Sequence, residues 1–380
     1  MEVGMKGIPV KFSRQGASSS ELFNLSTGMK LLACLLLILL ASCTKDESCT
    51  TCPPPLPDTT SHNFTWELDT LGDGNSSFLY DVAIINDTLA YAVGELYLKD
   101  STGQFDPRAY NMARWTGTRW ELIRIQFYTF CPQSATGSYP AKAIISFSAE
   151  DIWVGMDGSQ VVRWNGEVQS APTCIPVSVS RLWGVSSNDL YAVGANGGVA
   201  RFDGTTWQRI ESGTTLDIRD IYGQQDQATG SWEILAVASK VFVNFERKIL
   251  RISGTTATAL SDSGIAFPLT GVWFVSGKKY YVVGSGIYEK ESLSESRWRN
   301  GPLDITQYFT YAVRGNGIND VFVVGSFGEV LHYNGSTWKS FREQTLIGNG
   351  SYRSVAVRGK MVIAVGDEQD RAVIARGTRQ

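Results

Sequence analysis

The stretch Asp189-Leu-Tyr-Ala-Val-Gly194, continued by Gly198-Val-Ala-Arg-Phe-Asp-Gly204-Thr-Thr-Trp207, sets the reading of the whole chain. Apolar residues alternate up to a Val-Gly pair, a glycine turn follows, and a second run ends in aromatic-Asp-Gly before a Thr-Trp strand. Period-two alternation broken by Gly and Asp-Gly is the pattern of short antiparallel strands joined by tight turns. The phrase returns at Asp320-Val-Phe-Val-Val-Gly325 and Gly328-Glu-Val-Leu-His-Tyr-Asn-Gly335-Ser-Thr-Trp338. Weaker copies fill the rest, with second strands ending at Gly94, Gly155, Gly194, Ala238, Gly284, Gly325 and Gly366. Seven marks about 45 residues apart have the period of propeller blades.

Each blade then has four antiparallel strands. The innermost ones are expected at Phe78 to Ile85, Ala141 to Ser148, Arg181 to Ser186, Leu216 to Tyr222, Leu269 to Val275, Phe309 to Arg314 and Tyr352 to Arg358. Asn165-Gly166, Asp203-Gly204 and Asn334-Gly335 suit two-residue hairpin turns between third and fourth strands. The last copy ends without a Thr-Trp strand, while Phe64-Thr-Trp-Glu-Leu68 precedes the first as a surplus one. Placed on the seventh blade, that strand closes the ring and removes exposed sheet edges. The expected fold is all-β, a seven-bladed β-propeller of four-stranded antiparallel blades over 62–380, closed by an N-terminal strand.

Composition agrees with short strands and turns. The chain has 380 residues with 38 glycines, 11% aromatics and only 19% charged residues, against about 25% charged in an average soluble protein. Disorder, coiled coil and collagen are excluded. With 34 basic and 37 acidic residues, the net charge of −3 offers no footprint for nucleic acid or an anionic membrane surface. Two histidines, His62 and His332, leave too little material for a His-rich metal centre or a Ser-His-Asp triad. No cofactor or metal is expected.

The N-terminal part carries an address. Leu31 to Ala41 is an apolar run too short to span a bilayer but suited to a signal-peptide core, with Lys30 as its basic flank. It ends in Leu40-Ala41-Ser42-Cys43, which resembles a bacterial lipobox, and the resemblance implies lipidation at Cys43. Residues 1–28 read as an extension upstream of the natural start at Met29, 29–42 as the signal and 43–61 as a Pro-rich tether. Thr44, in place of the Asp that resembles an inner-membrane retention signal, favours the outer membrane, and Lys45-Asp46-Glu47 resembles an export signal of surface lipoproteins. The membrane is thus contacted through the lipid alone. Cys49 and Cys52 have C-x-x-C spacing without a second pair, which fits a tether disulfide or two idle thiols.

The repeat as a whole resembles that of propeller lipoproteins loosely related to kelch and Asp-box propellers. Chains similar over Asn63 to Lys99 go by the name glucosyl transferase. No Asp-x-Asp, G-x-G-x-x-G or P-loop is present to hold a sugar nucleotide.

Residues repeated in every blade are first structural. Trp66, Trp120, Trp207, Trp298 and Trp338 are expected between blades, and Arg114, Arg163, Arg201, His332 and Arg376 share one repeat position. His62, beside the tether, is expected in solvent. Departures from the repeat point to function. Two inserts, Glu95 to Asn111 and Gln126 to Pro140, lie on one face with the loops after each Val-Gly mark. Ligand-binding candidates there are Tyr97, Asp106, Arg108, Tyr110, Tyr128, Tyr139, Asp157, Asn196, Phe327, Asp367 and Glu368. Cys131 and Cys174 occupy equivalent connectors of adjacent blades, so a disulfide is expected. The favoured function is a non-catalytic module binding a glycan or a partner protein. A carbohydrate-active enzyme using Asp157, Asp367 and Glu368 is the alternative, and an assembly scaffold a third.

Overall fold

Twenty-eight of the strands in the computed structural model, which describes residues 58–240, 246–302 and 304–380, fall into seven four-stranded antiparallel sheets. Blade 1 holds Phe78–Asn86, Leu89–Leu96, Tyr110–Trp115 and Trp120–Ile123. Blade 2 holds Ala141–Ser148, Asp151–Met156, Gln160–Trp164 and Thr173–Cys174, and blade 3 holds Arg181–Ser186, Asp189–Val193, Val199–Phe202 and Trp207–Ile210. Blades 4 to 6 start at Ile218–Gln225, Leu269–Val275 and Thr310–Gly317. Blade 7 takes Ser351–Arg358, Met361–Glu368 and Arg371–Arg379 from the end of the chain and Phe64–Leu71 from its beginning. The surplus Trp strand is thus the outer strand of the last blade, with Trp66 opposite Gly377. The signal, residues 43–57 of the tether and with them Cys43, Cys49 and Cys52 lie outside the described residues.

The core is seven wedges rather than one ball. Each apolar cluster joins two neighbouring blades: Leu79, Ala92 and Trp115 of blade 1 meet Ile363, Val365 and Ile374 of blade 7, and Tyr191, Val193 and Ile210 of blade 3 meet Ile221, Ala236 and Leu250 of blade 4. The repeated tryptophans serve these seams. Trp66 lies 5.2 Å from Phe341, Trp207 6.3 Å from Trp153 and Trp338 6.1 Å from Tyr281, which are ordinary edge or tilted ring contacts.

The repeated cation is also structural. Arg163 pairs with Asp151, Arg201 with Asp189 and Arg251 with Glu233, each across one strand pair. In blade 5 the charges are exchanged, Lys279 against Glu289 at 2.9 Å, so the pair is kept and the sign reversed. His332 takes the basic place in blade 6 and is fully buried, its Nε2 3.0 Å from Asp320 Oδ1.

Three expectations need correction. The third-to-fourth strand turns span four residues: Asp203 N–H bonds the Thr206 carbonyl while Asp203 Oδ1 accepts from the Thr205 and Thr206 N–H groups. Asn165 and Asn334 repeat this arrangement, with positive φ only at the following glycine. The carboxylate or amide caps the turn, so the second residue need not be left-handed. In blade 2 the place of Gly94 belongs to Met156, which faces Ala141 as Gly94 faces Leu79, so the Gly155 mark is one residue early. His62 is not free in solvent: its Nδ1 lies 2.8 Å from His332 Nδ1 and its Nε2 3.1 Å from Thr337 Oγ1.

Candidate functional site

Strand direction sorts the loops onto two faces. Innermost strands run down from an upper face, which therefore receives the second-to-third strand loops and the blade-to-blade connectors. Both inserts lie there, and Asp58 to Asn63 enter at the lower face, where Thr60 bonds Asn334 and Asn319.

At the upper end each innermost strand is irregular in the same way. Register shifts leave Tyr80, Lys142, Arg219, Thr270, Tyr311 and Arg353 as extra residues facing no partner, and Ser180 holds the equivalent place in blade 3. A bulge re-aims its side chain. Repeated round the ring, these bulges build a bowl of about 570 Å³ lined by them together with Phe78, Asp157 and Arg181.

The bowl is organised as cation, ring and carboxylate. Lys142 Nζ sits 3.5 Å over the Tyr80 ring and 3.4 Å from Asp157. Arg353 lies 4.5 Å over Tyr311 and donates to Asp367 at 2.8 Å. Arg219 pairs with Asp217 at 3.3 Å. Burial first, then Glu95, Asp157 and Asp367, push the Tyr80 hydroxyl up to about 12, so it remains a donor.

The floor is a buried charge network. Asp81 and Asp220 both follow the bulge residue, and each accepts a backbone N–H from the next blade, Ile144 at 3.1 Å and Val272 at 3.0 Å. Arg314 grips Asp220 through two bonds of 2.8 and 2.9 Å. Arg181 lies between the two acids, 4.0 Å from Asp81 and 3.9 Å from Asp220, and donates to the Tyr80 carbonyl. Ser354 of blade 7 completes the set on Asp81 at 2.7 Å. Through these contacts one network touches all seven blades.

Around the bowl the sequence-selected residues have separate settings. Arg124 ties three of them: it donates to Asp106 at 2.5 Å and to the Arg108 carbonyl at 3.0 Å, and lies 3.6 Å over Tyr110. The Arg108 backbone N–H and Arg124 hold the Asp106 carboxyl below its usual range. Tyr97 donates to Glu95 at 2.5 Å. Tyr128 lies in a small hairpin, Phe127–Tyr128 against Thr136–Gly137, and Tyr139 donates to Thr129 at 3.0 Å. Gln160 and Gln169 each exchange two bonds with the Tyr128 and Gln126 backbone. Cys131 is bonded to Cys174 with Cα atoms 5.9 Å apart, inside the ordinary disulfide range.

Asn196 and Phe327 have φ of 54° and 59° in their loops. Phe327, held by its N–H on the Gly350 carbonyl, projects a ring 5.1 Å from Tyr308. A bulky residue in that region is strained, and such strain collects at functional surfaces. Glu368 ends its strand beside the Gly348 to Gly350 turn. Of the candidates, the structure brings only Asp157 into the lining of the bowl, and Asp367 backs it through Arg353; each carries its own cation, and the rest lie outside the lining. Sequence reasoning missed Tyr80, Lys142, Arg181, Arg219, Tyr311 and Arg353. Their signal was a polar or aromatic residue preceding each innermost apolar run, visible only once register is known.

Exposed large apolar side chains favour the same face. Phe105, Phe130, Phe267, Phe327 and Leu346 stand on upper loops, against Val168, Trp232 and Ile318 below. Among the described residues no group of three His, Cys, Asp or Glu is placed to hold a metal.

Comparison with known proteins bears on fold. No protein-family model matches the chain. No curated protein matches it either. Solved structures do: YCF48 bound to D1 peptide has a TM-score of 0.60 at 14% identity, covering 85% of this chain and 100% of that one. YCF48 from Cyanidioschyzon merolae follows at 0.56 and 13%, covering 82% and 98%. The WD40 propeller domain of Doa1 has 0.56 and 12%, covering 83% and 97%. At such identities the likeness is one of fold: the chain is an all-β, seven-bladed propeller, an architecture consistent with a binding or scaffold module.

Proposed function

We propose that this propeller is a non-catalytic binding module that captures a segment of a partner protein on its upper face, displayed on an exported, lipid-anchored chain. The observation that carries the choice of protein over glycan is that four tyrosine rings of this face, the two in the bowl among them, already carry a cation. Lys142 lies over Tyr80, Arg124 over Tyr110, Arg342 over Tyr308 and Arg353 over Tyr311, at 3.5 to 4.6 Å. A sugar ring that stacks needs a bare aromatic face. A polypeptide instead meets exposed apolar side chains and hydrogen-bonding groups, and Phe130, 65% exposed, offers the first. The solved YCF48 complex, with a D1 peptide bound, is a precedent of the same fold. The enzyme reading draws less support, because Asp157 and Asp367 are each matched to a cation rather than arranged as an acid and base.

Lipidation at Cys43 and an outer-membrane, surface-exposed location belong to the same proposal. The lipobox-like Leu40-Ala41-Ser42-Cys43 at the end of the apolar run Leu31 to Ala41 supports it.

The test replaces 99–106 in the full-length chain by a short Gly-Ser link and compares capture from envelope extracts. Retention of a protein partner should fall while melting stays put, because only surface loop is removed. Equal capture by the variant, or retention of glycans alone on an array, refutes the reading.

A further inference from the structure

The bowl at the centre of the upper face has an imbalance of hydrogen-bonding capacity. Arg353 commits Nε to Asp367, and Arg219 commits Nε to the Ser239 carbonyl at 3.2 Å and turns Nη2 to Asp217 at 3.3 Å, which leaves both terminal nitrogens of Arg353 and one of Arg219 unspent. Lys142 approaches Asp157 only to 3.4 Å. The hydroxyls of Tyr80 and Tyr311 find no hydrogen-bond partner among the described residues. Against these donors stand three carboxylates, Asp157, Asp217 and Asp367, each already beside a cation.

Arg and Lys are donors only, and a carboxylate offers about four lone-pair sites. A site with surplus donors selects a group that brings oxygen acceptors and rejects one that brings N–H groups. We propose that the bowl takes the carboxylate side chain of an acidic peptide segment, held by the free donors of Arg219 and Arg353 and by the Tyr80 and Tyr311 hydroxyls. This rests on the reading of the upper face as a protein-binding surface and adds the chemistry of what enters its centre.

Two features sharpen the expectation. The cations are held in place on aromatic rings, 3.5 Å for Lys142 on Tyr80 and 4.5 Å for Arg353 on Tyr311, so little freedom is lost when a ligand arrives. The bowl's charges are otherwise matched, Lys142 with Asp157, Arg219 with Asp217 and Arg353 with Asp367. Recognition is then short-range, and raising salt weakens it only modestly.

Calorimetry on the full chain tests this with three probes: a dodecapeptide of Gly-Ser-Asp-Glu repeats, its Asn and Gln isostere, and trigalacturonate. The acidic peptide should bind at least about tenfold tighter than the isostere, the discrimination expected of hydrogen bonds to a charged group. Arg353→Gln and Arg219→Gln should each lower its affinity by about tenfold, with native circular dichroism at the assay temperature to show that the ring is intact. Tyr311→Phe should cost less, about threefold, and Val168→Ser on the lower face nothing. Equal affinity for the isostere, or indifference to both arginine variants, overturns the proposal. So does trigalacturonate binding in preference to the peptide. Partner capture that needs the insert but ignores Arg353→Gln would overturn it while leaving the protein-binding reading in place.

Discussion

Asp220→Asn is the perturbation that examines the floor network most directly. Asp220 is 2% exposed and accepts from Arg314 at 2.8 and 2.9 Å and from the Val272 N–H at 3.0 Å, with Arg181 3.9 Å away. Asparagine keeps the size and one acceptor but leaves the half-buried Arg314 guanidinium without the carboxylate that faces it. Removing one partner of a buried ion pair costs about 3 to 5 kcal/mol. A domain of roughly 320 residues has an unfolding entropy near 0.7 kcal/mol/K, so the loss corresponds to roughly 4 to 8 °C in Tm. Circular dichroism melting reads this shift. The double variant Asp220→Leu, Arg314→Met should recover most of it, because a neutral, well-packed replacement leaves no uncompensated charge. A drop under about 1 °C for Asp220→Asn, or a double variant that melts at or below the single one, would refute the view that this network ties the blades together.

Three further outcomes follow from the geometry. Cys174→Ser should destabilise the protein by up to about 4 kcal/mol, the loop-entropy value for a separation of 43 residues, and reductant should lower the melting point of the parent but not of the variant. Cys43→Ser should move the protein from the membrane to the soluble fraction; retention in the membrane fraction counts against the anchor. Burial first, then His332, Lys339 and Arg379, hold the His62 imidazole at about 4, and burial likewise lowers His332. Both folded values lie below the ordinary 6.5, so the unfolded chain binds more protons and stability present above that pH is lost as pH falls towards 4. His62→Gln should flatten the dependence of unfolding free energy on pH between about 4 and 6.5, measured by urea titration; an unchanged slope would mean that the pair is not coupled to folding.

What the sequence discloses depends on how each feature is encoded. Blade number and the closing strand are legible because they rest on periodicity: a Trp strand too many before Phe78 and one too few after Arg379 leave a single arrangement with no open edge. The cysteine connectors are legible for the same reason, since equivalent loops of adjacent blades are neighbours. Turn geometry is less so, because Asp203-Gly204 looks like a two-residue hairpin until the side chain of Asp203 is seen to cap two N–H groups. The bowl is the least legible part. Tyr80, Lys142, Arg219, Tyr311 and Arg353 are spread over 273 positions of sequence and are of three residue types. Only a bulge that recurs at the head of each innermost strand gives them one location. Asp81 and Asp220 are concealed differently, as lone acids within apolar runs that pattern alone would place in error, yet their burial is satisfied by the neighbouring blade's backbone and two arginines. The repeat therefore does two things at one end of the strand: its bulge residue turns outward to make a variable binding bowl, and the next residue turns inward to lock the ring beneath it. Because these positions are adjacent in sequence but opposite in role, substitutions at Arg219 and Asp220 should separate cleanly, the first changing binding at constant Tm and the second changing Tm; a common loss of both properties from Arg219→Gln would show that bowl and lock are one unit.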